Sequence, residues 1–221
     1  MPNSGFVSKF LTTLKALTGR RFNNSENYWV NRYASGQNSG SGSYGRLAEF
    51  KAKILNEFVA SNGIQSVIEY GVGDGNQLSL AKYPRYMGFD ISPVAVELCK
   101  TQFAGDETKS FCLVAEFSQQ RSDLTLSVDV IYHLVEDSVF DLYMHRLFDS
   151  GDRYVAIYAS NTDNNSLFSV PHVRMRKFSD WIETNKPSWK LDSKICNPFP
   201  YDSKDPGNTS FADFYFYKKT L

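Results

Sequence analysis

A short apolar run at residues 66–70, SVIEY, breaks directly into Glu69-Tyr70-Gly71-Val72-Gly73-Asp74-Gly75, and this junction constrains the fold more than any other part of the chain. Gly71 and Gly73 permit a tight turn and let the backbone come close to a bound molecule. A glycine-rich turn that closes a strand and opens the next element is the punctuation of an α/β chain, in which the crevice at the strand ends receives ligands.

The rest of the chain agrees. A strong helical pattern runs from Arg46 to Ala60 (Leu47, Phe50, Ile54, Leu55, Phe58) and stops near Gly63. After the first strand, residues 75–83 are expected as a helix cut off by Pro84. YMGFD at 86–90 reads as a second strand, and Pro93 starts a helix that ends at Phe103. A third strand is expected at 110–114 and a fourth within 126–134. A helix follows from Asp137 to Phe148, then a fifth strand at 153–160, a helix at 173–185, and two last strands near 189–195 and 211–218. Strands alternating with helices imply crossover units and a mainly parallel, doubly wound sheet. With no helix between them, the last two strands must pair antiparallel at one edge, giving a seven-stranded sheet.

Three details sharpen the junction. Position 76, where a dinucleotide fingerprint needs its third glycine, is Asn76, so the pattern is G-x-G-x-G. Glu69 stands two residues before the first glycine, where its charge repels a pyrophosphate and attracts an ammonium. The next strand ends at Asp90, nineteen residues after Gly71, and a carboxylate there can accept hydrogen bonds from both hydroxyls of a ribose. Both carboxylates also have a plain alternative use, Asp90 as a cap for the helix at Pro93 and Glu69 as a surface charge.

Strand, E-x-G-x-G-x-G, a second strand ending in Asp, and a closing antiparallel hairpin resemble the class I methyltransferases that use S-adenosylmethionine (SAM), over about residues 45–221. The resemblance implies a Rossmann-like sheet with SAM across its first strands, Glu69, Gly71 and Gly73 at the methionine end and Asp90 at the ribose. Ala115, Glu116 and Phe117 would frame adenine, with Phe117 also readable as a core aromatic. Asp129, at the end of strand four, falls in the same cofactor set. Residues 28–33, with Tyr28, Trp29, Arg32 and Tyr33, are similar to the lid that closes over SAM in enzymes acting on small molecules and glycans. The domain is therefore expected to span 25–221 with 25–45 as lid, and surface-polysaccharide enzymes are the suspected kin. The Gly/Ser-rich stretch at 35–45 is compatible with a linker, but the aromatics around it favour a loop folded over a ligand.

The segment Asp129-Val130-Ile131-Tyr132-His133 is similar to the D-x-x-E-H stretch of small-molecule methyltransferases, with Tyr132 in place of Glu. It has no N/D-P-P-Y and no Pro-Cys, so it does not resemble the enzymes that methylate adenine or cytosine bases. His133 is the first candidate for general base, since a neutral imidazole takes a proton near pH 7, and His172 is the second. A structural histidine bonded to a carbonyl is the alternative. Residues 160–165 and 197–202 offer amides, carboxylates and aromatics at the acceptor end of the sheet, which suits a polyhydroxylated small molecule or glycan; turn formation is the competing use of those residues. Arg174, Arg176 and Lys177 add candidate phosphate contacts.

Composition narrows the partners. Lys+Arg and Asp+Glu are equal at 24 each, so no general attraction draws the chain to nucleic acid or an anionic membrane. The three scattered cysteines, Cys99, Cys112 and Cys196, form no disulfide framework or zinc motif and are expected as small buried residues in a reducing compartment; no metal is expected. Residues 5–18 read as an amphipathic helix (Phe6, Phe10, Leu14, Leu17) in an appendage of residues 1–24, packed on the domain, a partner or a membrane surface. Lys9 and Lys15 interrupt any signal-like run, and a cytoplasmic protein is expected. An NAD-dependent oxidoreductase and a non-catalytic SAM-binding subunit are the alternative functions.

Overall fold

The structure is a computed structural model that describes residues 22–166 and 170–220. The amphipathic helix expected at 5–18 lies outside the described residues. Seven strands form one sheet in the order β3-β2-β1-β4-β5-β7-β6. They are β1 Val67–Tyr70, β2 Tyr86–Asp90, β3 Lys109–Leu113, β4 Ser122–Val128, β5 Gly151–Ala159, β6 Trp189–Ile195 and β7 Asp213–Lys219. β1 to β5 pair parallel, and β7 inserts antiparallel between β5 and β6. The expected hairpin is thus present, with its first strand at the edge. The strand order reverses where β1 meets β4, which places the ligand crevice beyond the carboxyl ends of those two strands.

Five α-helices complete the described chain: α1 Ser25–Ala34, α2 Gly45–Ser61, α3 Pro93–Gln102, α4 Asp137–Asp149 and α5 Phe178–Asn185. β5 carries a near-continuous apolar run because both of its faces are covered. Tyr154, Ala156 and Tyr158 face a core shared with Leu55 and Val59 of α2 and Val96 and Cys99 of α3. Val155, Ile157 and Ala159 face Phe140, Met144 and Phe148 of α4 and Phe178 and Ile182 of α5.

Two elements differ from expectation. Residues 75–83 hold only a 3-10 turn at Leu78–Leu80. Gly75 is held at φ +79°, outside the helical region, and few residues remain before Pro84. The segment is instead bonded to α2: Gln77 Nε2 donates to the Ala48 carbonyl, and the Asn56 amide both donates to Leu80 O and accepts from Lys82 N. The last helix begins at Phe178 rather than 173. Arg174 N donates to Tyr132 O, Met175 N to Asn165 Oδ1 and Lys177 N to Asp163 Oδ1, so these donors serve tertiary partners instead of a helix. Cysteine burial also differs: Cys99 is buried, Cys112 is half-buried and Cys196 is exposed.

Candidate functional site

The carboxyl end of β1 carries a buried acid beside two glycines that side chains would block. Glu69 is 6% exposed and accepts the Tyr86 hydroxyl at 2.6 Å. Burial raises its pKa to about 7, against the pull of the Tyr86 hydroxyl and the Lys51 ammonium. A Cβ on Gly71, held at φ +89°, would lie 2.5 Å from Val130 Cγ2, and one on Gly73, at φ +63°, would meet the Tyr33 hydroxyl at 2.8 Å. Asp90 closes the other side. Its carboxylate accepts Gly73 N and Ser92 N, both at 2.9 Å, and burial raises its pKa despite those bonds. The cap of α3 is Ser92, whose hydroxyl accepts from Ala95 N, so Asp90 is not spent on that task. A carboxylate offers about four lone-pair sites, so Asp90 retains capacity for a further donor.

Lys51 is the residue that sequence reasoning missed. It is fully buried on α2, paired with Asp129, and its ammonium lies 5.4 Å from the Tyr158 ring centroid. The signal was present, because Lys51 lies on the apolar stripe of Leu47, Ala48, Leu55 and Val59, where a lysine has no reason to stand unless paired. Asp129 sits at φ +60°, a conformation uncommon outside glycine. Its second oxygen accepts the Tyr132 hydroxyl at 2.7 Å. The Tyr158 hydroxyl is buried without a hydrogen-bond partner among the described residues.

Residues 35–45 lie against the glycine turn. Asp74 receives both Ser39 N and the Tyr44 hydroxyl at 2.8 Å, and Asp74 N donates back to Ser39 Oγ at 3.0 Å. Asn76 Nδ2 donates to Ser43 O. Tyr33, 4% exposed on α1, shares a 2.9 Å hydrogen bond with Ser39, and burial near Asp90 raises its pKa.

α1 also covers both candidate histidines. Tyr28 stacks on His172 with centroids 4.2 Å apart, His172 stacks on His133 at 5.8 Å, and Trp29 meets His133 edge-on at 4.8 Å. His133 Nδ1 lies 3.1 Å from His172 O. A carbonyl oxygen only accepts, so Nδ1 carries the proton and the lone pair is on Nε2. Burial lowers the His133 pKa to about 4, so the ring is neutral at physiological pH but a weaker base than the near-7 imidazole expected from the sequence.

The adenine and acceptor candidates divide. Phe117 meets the rings of Tyr70 and Phe89 edge-on at 6.0 and 5.8 Å, and Glu116 turns back to accept Leu113 N. Asn161, Asp163 and Asn165 accept from Ser179 N, Lys177 N and Met175 N and so pin their loop to the start of α5, and Asn197 bonds Phe199 and Ser210. Arg174 and Arg176 pair with Asp137. Among the described residues, no group of three His, Cys, Asp or Glu could hold a metal ion, and no helix is long and apolar enough to cross a membrane.

No protein-family model and no curated protein matches the sequence. Solved structures do match. N-methyltransferase NodS from Bradyrhizobium japonicum WM9, in complex with S-adenosyl-L-homocysteine, aligns at a TM-score of 0.69 with 13% identity, over 90% of this chain and 100% of that one. Magnesium protoporphyrin IX methyltransferase (ChlM) from Synechocystis PCC 6803 with bound SAM aligns at 0.64, again with 13% identity, over 91% and 100%. The methyltransferase domain of bacterial CtHen1 aligns at 0.58 with 16% identity over 77% and 97%. At these identities the likeness establishes the fold, and the fold is that of the class I methyltransferases.

Proposed function

We propose that this protein is a SAM-dependent methyltransferase that acts on a hydroxyl of a sugar or another small polar acceptor. The observation that carries the reading is a charge imbalance at a glycine turn. Glu69 and Asp90 are buried within the crevice, and the buried cation beside them, Lys51, is already paired with Asp129. Two carboxylates held against their solvation call for a cationic ligand. Gly71 and Gly73, both at positive φ, let Val130 and the Tyr33 and Ser39 hydroxyls pack directly on the turn, where any side chain of their own would collide. SAM fits this donor set, since it offers an ammonium to Glu69 and ribose hydroxyls to Asp90.

When bound, SAM supplies a methyl group already activated by its positively charged sulfur. This chain's residues then hold, cover and deprotonate. Glu69 and Asp90 hold the cofactor's two ends. Residues 25–45 act as the lid, fastened to the turn through Asp74 and carrying Tyr33 above Gly73. Lys51 and Tyr132 hold the Asp129 carboxylate, which closes the β4 side. His133 accepts the acceptor's proton at Nε2, with its ring oriented by the His172 carbonyl and the Trp29 edge.

Calorimetry with SAM and with NAD tests the cofactor. SAM should bind and NAD should not, and Asp90→Ala should weaken SAM binding by ~1–3 kcal/mol through lost ribose contacts. NAD binding, or an unchanged SAM affinity in the variant, would remove this assignment. For the base, radiolabelled methyl from SAM traced into polar extract fractions supplies an acceptor. With it, His133→Ala should lower turnover roughly 10²–10⁴-fold and leave SAM affinity intact. Full turnover in that variant would assign the ring cluster a purely structural role.

A further inference from the structure

The side chains expected to meet the acceptor, Asn161, Asn165 and Asn197, bond neighbouring backbone, and amides with no partner among the described residues occur along the outer face of α1. Asn27 and Asn31 lie one turn apart on α1, Asn23 stands just before its N-cap, and Ser35 is its C-cap. Four residues of α-helix rise about 6 Å, so Asn27 and Asn31 are two polar rungs on one face, with Asn23 and Ser35 at its two ends. The side-chain amides of Asn23, Asn27 and Asn31 have no hydrogen-bond partner among the described residues. Together with Tyr28, Arg32 and Gln37 they line a cavity of about 240 Å³, just under the ~300 Å³ at which small-molecule sites begin.

Local propensity makes the ladder conspicuous. Asn is a poor helix former, and its side chain favours caps and turns. Asn24 does serve as a cap, accepting Asn27 N at 2.7 Å. Asn27 and Asn31 serve no such purpose, and on a solvated helix face Lys, Glu or Ala would stabilise α1 more. Positions that break a local rule without structural return are where function is expected.

We infer that this groove binds a neutral oligosaccharide, and that it is the acceptor subsite of the reaction proposed above, on which the inference rests. Each free amide offers donors and acceptors together, the combination that vicinal hydroxyls require. Tyr28 supplies an aromatic wall at one flank. Arg32 is held in the groove by donating to Asn38 O at 2.7 Å and lies over Trp29 at 5.6 Å. The groove is joined to the histidines through a single ring: Tyr28 lines it on one side and stacks on His172 on the other. An occupant along the ladder therefore packs on the ring that backs the His133–His172 pair.

The test is a printed array carrying neutral microbial and plant oligosaccharides beside acidic glycans and peptides, probed with the labelled full-length protein. Wild type should bind a subset of the neutral oligosaccharides. The triple variant Asn23→Ala/Asn27→Ala/Asn31→Ala should lose that signal at least tenfold and yet melt about 2–4 °C higher, because Ala is the better helix former at 27 and 31. No signal, equal signal in the triple variant, or signal confined to peptides or acidic glycans would overturn the subsite. Loss of SAM affinity in wild type would instead overturn the cofactor reading, so the two failures are separable.

Discussion

Burial raises the pKa of Glu69 from the usual 4.5 to about 7, which turns the charge of the crevice into a measurable pH dependence. The folded state holds this proton more tightly than the unfolded chain. Its stabilising effect is therefore complete below about 4.5 and is lost as pH rises through about 7. The ligand-free protein should lose of the order of 3 kcal/mol from this group across that window, read from urea unfolding at a series of pH values. Glu69→Gln should flatten the slope, and an unaltered slope would show that another group titrates. Lys51 makes a second residue-scale case. Lys51→Met leaves the Asp129 carboxylate without its cation and should cost roughly 3 kcal/mol. Adding Asp129→Asn, which tolerates the same left-handed backbone and can still accept from Tyr132, should recover most of that loss. A double variant as unstable as the single one would mean that Lys51 acts through packing alone. Glu69, Asp90 and the glycines were legible as residues because their spacing follows the chain. The Lys51–Asp129 pair was not, since its members stand 78 positions apart.

At the scale of elements, α1 is fastened at its start. Ser25 N and Oγ donate to the Glu136 carboxylate at 3.0 and 2.6 Å, and Val135 N donates to Ser25 Oγ at 3.0 Å. Through this contact the beginning of α1 is tied to the residue that caps α4. Ser25→Ala removes two of these bonds and strands the Val135 amide, so α1 should open more often. Hydrogen exchange of residues 27–34 is expected to accelerate roughly tenfold or more, as a loss of ~1–3 kcal/mol requires. Exchange at the wild-type rate would show that the ring stack on His172 and His133 holds α1 without help. Periodicity placed α2, α3 and α4 within about a residue of their observed ends, because each presents an apolar stripe to the sheet. It failed at 75–83 and 173–177. There the apolar spacing exists, but glycine geometry and tertiary hydrogen bonds decide the backbone.

For the whole molecule, the alternation of strands and helices determined a parallel α/β sheet, and the missing helix before the last strand determined an antiparallel closure, because an antiparallel return needs no crossover. The chain order also determined that Glu69, Gly71, Gly73 and Asp90 share one strand end, since parallel strands put their carboxyl termini on one side. Tertiary structure alone decided that β7 lies inside β6, that α1 closes over the histidines, and that a lysine from α2 neutralises an aspartate after β4. It also decided that Asn161 and Asn197 bond neighbouring backbone while Asn27 and Asn31 of α1 have no side-chain partner among the described residues. The division has one physical cause. Local geometry and hydrophobic period are properties of neighbouring residues and can be read along the chain. The partner of a buried charge or amide is selected by which surfaces meet in space, and that is settled only when the sheet and its helices pack.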